Sequence, residues 1–503
     1  MTGTPSDAPI ELEVKLLLPP GAETTVLDHP ALRGRSEVRH EVSTYYDTGT
    51  WDLARAGAVL RIRQGPLGRV QTLKLTGKAA FGRNEWEWPI DSDHPVLGQL
   101  ADTPIGAQLP PAQALQPVFT TEVDRAVRTI DRGDAVIEVA LDLGRILAGD
   151  AVEEIRELEL ELKDGKPLPL YQLAAELHGT IPLVLGSESK SDRGLRLRTG
   201  RARKAVKQGQ IDLPTEVTGR EGFRRIVDSV LGNFLANLPA AASGDIEGVH
   251  QMRIAIRRLR SVLVLFGPYL AAHAAARFGV ALRELGRILG KARDWDVFCT
   301  EALEHVRKEG VSADLLDLLR GPAELARSEA HSQVEAALRK PLLTATVLGL
   351  AAWVEDPVAL TGREGEADLD LPLANLGPAL EARLARKVLR RGRHICRRDV
   401  PELHELRKSL KKLRYGVELL SALQEPKEVK PFLRGSKALL KRLGRINDAG
   451  VAIALAEELG GERKPELAPA VAVLAAWAER RRAKSRRQLR ESWREFRDVP
   501  LPH

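Results

Sequence analysis

Two carboxylates and an amine alternate with apolar residues in the segment IELEVKL, residues 10–16. In an extended strand Glu11, Glu13 and Lys15 share one face, and Ile10, Leu12, Val14 and Leu16 share the other. Carboxylate oxygens suit hard divalent cations. Amines and guanidinium groups suit phosphates. A metal-bound polyphosphate needs both at once. A half-buried sheet with a solvated charged face shows the same alternation, so one strand does not decide between them.

The pattern recurs along the first 200 residues. Arg61 and Arg63 share a face in AVLRIRQ, and Lys74 stands apart from its apolar neighbours in VQTLKLT. Glu85 and Glu87 oppose Trp86 and Trp88, and Glu138 and Asp142 share a face in AVIEVALDLG. Glu157, Glu159, Glu161 and Lys163 share one in IRELELELK. Carboxylates and cations therefore return in mutually neutralising numbers while the opposite faces stay apolar. A barrel with a charged lumen and a covered outer wall accounts for the whole set better than separate solvated edges do. No Ser-His-Asp or Cys-His arrangement is legible, which disfavours a nucleophile supplied by the chain.

The elements that must position these residues follow from periodicity. From Ile10 to about Arg198 the period is two, with Gly, Pro and Asp as punctuation and one helical interruption at PLYQLAAELHGTIPL. TGRARKAVKQGQIDLP reads as a linker, and from about Thr215 the period becomes 3.6. The expectation is an α+β multidomain chain. An antiparallel β-barrel or tunnel occupies residues 1–200, a linker 201–214, and an all-α duplicated helical bundle 215–503. The stretch EDPVALTGREGEADLDLP separates two repeats, about 215–354 and 373–495.

The duplication rests on one offset of 154 residues. It aligns His250, Arg253, Arg257 and Arg260 with His404, Arg407, Lys411 and Arg414, and Arg283, Arg287 and Lys291 with Lys437, Lys441 and Arg445. On a helical wheel the first four fall within about 80° of one another. They lie apart from the apolar stripe Met252, Ile256, Leu259 and Leu263. An exposed basic face is the ordinary reading of such a run, but these stripes carry one sign, and like charges at i, i+4 repel. A bridging anion offsets that repulsion. Neither histidine has a second His or Cys at metal spacing, which disfavours zinc. Each histidine is expected to bind phosphate more tightly below neutral pH.

ELEVK is an ExExK motif. With YYDT at 45–48, LRIR at 60–63, TLK at 72–74, IEVALDLG at 137–144, ELELELK at 157–163 and SKSDRG at 189–194, it resembles the CYTH superfamily, the triphosphate tunnel metalloenzymes, over roughly residues 8–198. The resemblance implies an antiparallel tunnel acting on triphosphates with Mg²⁺ or Mn²⁺. It implies Glu11 and Glu13 as metal ligands, completed by Glu157, Glu159 or Glu161, among which parity does not choose. It implies Lys15, Arg61, Arg63, Lys74, Arg125 and Lys190 as triphosphate binders, with Arg128 on the opposite parity to Arg125. Glu138 and Asp142 are then expected to hold a second metal that orients the attacking water. The second region, with VHQMRIAIRRLRSVL, LHELRKSLKKLRYGVEL and LGKARDWDV, resembles the CHAD domain over about residues 215–495. That implies inorganic polyphosphate as its ligand. In the second copy Asn447 replaces Arg293 and Gly450 replaces Asp296, which is expected to weaken that end of the site.

Composition is consistent with this reading. The 503 residues are 43% hydrophobic, 29% charged and 4% aromatic, which excludes a disordered chain. Residues 1–200 hold 22 Lys/Arg against 30 Asp/Glu, and residues 201–503 hold 54 against 39. The basic part calls for an anionic partner. Scarce aromatics and the lack of a recognisable DNA- or RNA-binding signature disfavour nucleic acid. Two distant cysteines, no secretory signal and no long apolar run point to the cytoplasm and away from a membrane. The expected function is metal-dependent hydrolysis of tripolyphosphate to pyrophosphate and phosphate, with inorganic polyphosphate bound by the basic helices. The alternatives are a non-catalytic polyphosphate scaffold, a nucleoside or thiamine triphosphatase, or a class IV-like adenylyl cyclase.

Overall fold

The computed structural model describes residues 10–75, 80–106, 114–202, 204–309, 311–362, 368–460 and 464–502. The N-terminal segment read above as lacking a signal, residues 1–9, lies outside them. The chain divides into two compact units.

The first unit is built on nine strands. They are β1 (Ile10–Leu17), β2 (Glu37–Thr48), β3 (Ala58–Gly65), β4 (Gly68–Leu75), β5 (Gly82–Ile90), β6 (Leu115–Asp131), β7 (Ala135–Ala148), β8 (Ala151–Gly165) and β9 (Val184–Leu185). All pairings are antiparallel, in the order β5-β4-β3-β2-β6-β7-β8-β1-β9. β1, last but one in the order, also pairs with β5 over three residues, so the sheet curls around a lumen while β9 stays outside that pairing.

Alternation assigns the two faces. Val14 and Leu16 of β1 and Leu158 and Leu160 of β8 are fully buried on the outer face. There helix α1 (Leu168–Thr180) packs on β1, β7 and β8 with buried Leu170, Leu173 and Leu177. Tyr46, Leu60, Ile62 and Leu73 form a second outer core with Leu53, Leu100 and Ile105 from the connecting segments. Helix α2 (Lys190–Thr199) begins with a capping box between Ser189 and Asp192, which satisfies its first amide groups. Gly194 lets it lie on the sheet, since a Cβ there would meet the Phe119 ring at 2.2 Å. This unit also takes in residues 231–243 and 338–356. Helix Pro341–Glu355 packs against α1, and Thr344 Oγ1 accepts a hydrogen bond from the Leu185 amide at 3.2 Å. Residues that periodicity grouped with the helical repeats thus serve the sheet.

The second unit is helical. Its main helices are α3 (Ile246–Leu265), α4 (Ala272–Val297), α5 (Ala313–Leu338), α6 (Leu373–Gly392), α7 (Val400–Leu420) and α8 (Pro426–Gly460). α7 and α8 start 154 residues after α3 and α4, the offset seen in sequence. Asp245 and Asp399, at the same offset, cap α3 and α7 by accepting from the amides of Gly248 and Glu402. The expected apolar stripes, Met252, Ile256, Leu259 and Leu263 on α3 and Leu406, Leu410, Leu413 and Val417 on α7, are buried. Among the described residues no single helix is long and apolar enough to cross a membrane.

Candidate functional site

The lumen of the sheet is a cavity of about 470 Å³. Its walls include Glu11, Glu13 and Lys15 from β1, Arg61 and Arg63 from β3, and Lys74 from β4. Arg125 from β6, Glu138 from β7, Glu159 and Glu161 from β8, and Lys190 from α2 complete it. Of the residues singled out in this unit, only Asp142 and Glu157 lie behind that wall, both fully buried.

Charges in the lumen are sorted by position. At one end Asp142, Glu157 and Glu159 bring their oxygens within 4.8 Å of one another, the spacing a metal would need. Cations fill that space. Arg125 grips Asp142 with two hydrogen bonds of 2.7 and 2.6 Å and reaches Glu159 at 2.6 Å. Lys190 Nζ lies 2.6 Å from Asp142 and 2.8 Å from Glu159, and also contacts Glu157. Lys15 Nζ lies 2.6 Å from Glu159 and 3.2 Å from Glu157, which Arg193 also reaches at 3.2 Å. Three carboxylates thus hold four cations. Burial opposes the charge on Lys15 and Lys190, yet these acids keep both amines above the ordinary lysine range. Glu159 is held well below the carboxylate range, burial notwithstanding, by Lys15, Lys190 and Arg125.

The other end is acidic. Glu13 is the register partner of Glu161 across β1 and β8, and Glu161 is the partner of Glu138 across β8 and β7. Like charges directly opposite one another are destabilising. The Glu161 carboxyl is raised above its ordinary value, first by burial and then by Glu11 and Glu138, although Lys163 at 2.6 Å pulls the other way. Cations stand at this end too, with Lys15 3.6 Å from Glu13, Lys74 3.3 Å from Glu11, and Lys163 2.6 Å from Glu161 and 3.7 Å from Glu138. Both groups of carboxylates offer oxygens of the kind a hard divalent cation takes. Glu138 and Asp142 were expected to share a second metal. They belong to different cross-strand rows, Glu138 with Glu161 and Asp142 with Glu157, and the Asp142 oxygens are taken by Arg125 and Lys190. The wall also separates the two arginines of β6: Arg125 faces the lumen, while Arg128 donates to the Leu27 and Leu32 carbonyls.

Between the ends stand Arg61, Arg63 and Lys74. Lys74 lies 2.7 Å from Glu85 and 3.3 Å from Glu11, and Arg63 lies 3.2 Å from Glu87. Arg39, Glu41 and Tyr45 of β2 also line the lumen and were missed. They sit at i, i+2 and i+6 of EVRHEVSTYYDT, so the parity used on the other strands finds them.

In the helical unit the stripes of α3 and α7 face each other where these helices pack. Arg253 lies 3.5 Å from Asp294, and its repeat mate Arg407 lies 3.8 Å from Asp448, the mate of Asp294. Burial, then Arg257, lowers Arg253 to about 10. Burial, then Arg257, Arg407 and Arg253, pushes Lys411 down to about 6. His250 is lowered by burial and by Arg293. In the second copy His404 instead hydrogen-bonds Asn447 at 2.5 Å. Arg283 is exposed, and half-buried Arg260 is lowered by burial, then by Arg283 and Arg257.

Besides Arg253 and Arg407, three further stripe residues have acids that the linear reading overlooked. Arg287 pairs with Glu284 one turn earlier at 3.4 Å, Arg414 with Glu418, and Lys291 with Glu458 from α8. Lys437 and Lys441 are exposed and, with Lys411 and Arg414, line a cavity of about 380 Å³. Arg445 is half-buried on α8. Asp296, whose loss in the second copy was expected to weaken anion binding, is fully buried and bonded to Arg327 at 3.0 Å and His331 at 2.9 Å. It fastens α5 to α4.

Comparison with known proteins gives two family matches, a CYTH domain over residues 9–195 and a CHAD domain over residues 225–457. An inorganic triphosphatase of Haemophilus influenzae is 34% identical over 197 residues, which are 37% of this chain and 54% of that protein. The chain thus spans about half the length of that relative. An uncharacterized protein of Mycobacterium tuberculosis is 27% identical over 416 residues, 77% of each chain. The crystal structure of the CHAD domain from the plant Ricinus communis is similar at 26% identity, covering 60% of this chain and 99% of that one with a TM-score of 0.53.

Proposed function

The chain carries a CYTH domain followed by a CHAD domain, and from that premise we propose that its sheet domain hydrolyses inorganic triphosphate with a divalent metal. We propose in addition that its basic helices bind inorganic polyphosphate. The observation that carries the first reading is the sorting of charge within one lumen, with buried acids fastening Lys15, Arg125 and Lys190 at one end and Glu11, Glu13, Glu138 and Glu161 gathered at the other. The name of the 34% identical relative supports the choice of inorganic triphosphate.

Glu11, Glu13 and Glu161 are the residues that would hold the metal. Mg²⁺ or Mn²⁺ there supplies charge neutralisation on phosphate oxygens. Lys15, Arg125 and Lys190 are already oriented by Asp142, Glu157 and Glu159, so they meet the phosphate chain with little reorganisation. Arg61, Arg63 and Lys74 grip the remaining oxygens. Glu138, beside Glu161, would accept a hydrogen bond from the attacking water. Water adds to the terminal phosphorus, the bond to the bridging oxygen breaks, and pyrophosphate and phosphate leave. Such a transfer depends on positioning and charge more than on covalent help.

The helical reading rests on the cluster of Arg253, Arg257, Arg407 and Lys411, whose mutual repulsion a polyanion offsets. The test is phosphate release from tripolyphosphate, ATP, thiamine triphosphate and long-chain polyphosphate, with and without Mg²⁺ or Mn²⁺. Tripolyphosphate is expected to lead the panel. Undiminished release by both Glu11→Ala and Glu13→Ala would refute the tunnel assignment. A scaffold without activity predicts polyphosphate binding and no release from any substrate.

A further inference from the structure

A second concentration of positive charge lies on α6, on residues outside the stripes. Arg383, Arg386, Lys387 and Arg390 occupy i, i+3, i+4 and i+7, one face of a helix whose other face buries Leu373, Leu376, Leu380, Leu384 and Val388. With Lys412 and Ser409 of α7 they line a cavity of about 340 Å³.

Arg383 has a structural task, since it donates to the Val264 and Leu265 carbonyls at the end of α3. The others have none in view. Among the described residues no carboxylate pairs with Arg386, Lys387, Arg390 or Lys412, and none lines the cavity. Glu405, on the same helix as Lys412, is taken by Lys408 and by Arg391 at 3.1 Å. Lys412 is lowered by burial and then by Lys387, Arg260, Arg391 and Lys408, a set made up entirely of cations.

The duplication isolates the feature. The positions 154 residues before Arg383, Arg386, Lys387 and Arg390 are Ser229, Gly232, Asn233 and Ala236. The mate of Lys412 is Arg258, which is engaged by Glu418 at 3.9 Å and lies over the Tyr415 ring. The four cations of α6 therefore belong to one copy and are not a by-product of the repeat, whereas the Lys412 position carries a cation in both copies. A concave pocket of this size without aromatic walls suits a short anion better than stacked bases.

We propose that α6 and α7 form a separate phosphate-binding pocket at Arg386, Lys387, Arg390 and Lys412, which takes a short inorganic phosphate chain, free or as the end of a longer one. Guanidinium groups of Arg386 and Arg390 grip oxygens in pairs, and the two amines add point charges.

Site-resolved lysine acetylation of the full-length protein, read by peptide mass spectrometry, tests this. Pyrophosphate at constant ionic strength is expected to slow labelling of Lys387 and Lys412 several-fold, and the exposed double variant Arg386→Glu/Arg390→Glu to abolish that protection. Long-chain polyphosphate in a second arm distinguishes a bound chain end from a free anion. Labelling unchanged by either phosphate, equal protection by matched sodium chloride, protection only by an oligonucleotide, or protection that survives the double variant would each overturn the proposal. Lys411 in the same digest reports the Arg253 cluster separately, so a failure of the polyphosphate reading there is distinguishable from a failure here.

Discussion

Glu13 on β1 and Glu161 on β8 stand opposite one another as cross-strand partners, and Glu138 continues the same row on β7. A row of acids facing a lumen is costly unless a cation joins it. Glu161→Gln and Glu11→Gln are expected to lower phosphate release by about 10²-fold or more at fixed metal. The Glu161 carboxyl is raised above its ordinary value, so as pH falls through that raised value protons compete with the metal. The metal concentration for half-maximal rate should therefore increase toward acid pH in the native protein. Metal titrations over a pH series should show that dependence flattened in Glu161→Gln.

Lys190 is the hub of the opposite end. Asp142 and Glu157 are fully buried, and Lys190→Met strips both of a counter-ion. Breaking such a buried network costs roughly 3–5 kcal/mol. Urea unfolding should report that loss, and adding Asp142→Asn should recover part of it. A Lys190→Met variant with native stability but impaired turnover would assign Lys190 to phosphate alone.

Lys411 supplies a pH signature for the helical unit. With its amine pushed down to about 6 by burial and by Arg257, Arg407 and Arg253, it is mostly neutral at physiological pH in the free protein. A bound polyanion restores its charge. Polyphosphate binding should then take up a proton above that value, and affinity should rise as pH falls toward it. Calorimetry in buffers of different ionisation heat measures the uptake, and Lys411→Met should abolish it. His250, lowered by burial and Arg293, holds its proton less readily than an ordinary imidazole.

Asp296 separates structure from binding. Asp296→Ala leaves Arg327 and His331 facing a gap in the interior. It should lower the unfolding midpoint while leaving polyphosphate affinity within error of the native protein. A selective loss of affinity would put Asp296 in the binding face instead.

Much of the lumen was legible because a strand has the simplest periodicity there is. Parity placed Glu11, Glu13 and Lys15 on one wall, and the same rule applied to β2 would have added Arg39 and Glu41. Parity has no power along a strand, however. It left Glu157, Glu159 and Glu161 equivalent, and only the side-chain contacts separate them: Glu157 and Glu159 share Lys15 and Lys190, while Glu161 stands across from Glu13 and Glu138 with Lys163 beside it. The helical stripes were visible through their repeat, but the partners of Lys291 and Arg287 were not. Glu458 comes from another helix, and Glu284 lies one turn back on the same one. Helix Pro341–Glu355 looked like the end of a repeat because its composition is the same whether it packs on helices or, as here, against the cover of a sheet.

β1 is made first and finished last. Its neighbours on β5, β8 and β9 lie about 70, 145 and 170 residues further on, and closing such long loops is slow. On a ribosome the seam through Glu11 and Glu13 cannot seal until β8 has emerged. Glu11 and Glu13 are thus synthesised ahead of the other strands and joined to their β8 partners only after those emerge, and a nascent chain stalled before residue 150 should offer an open sheet with no competent site.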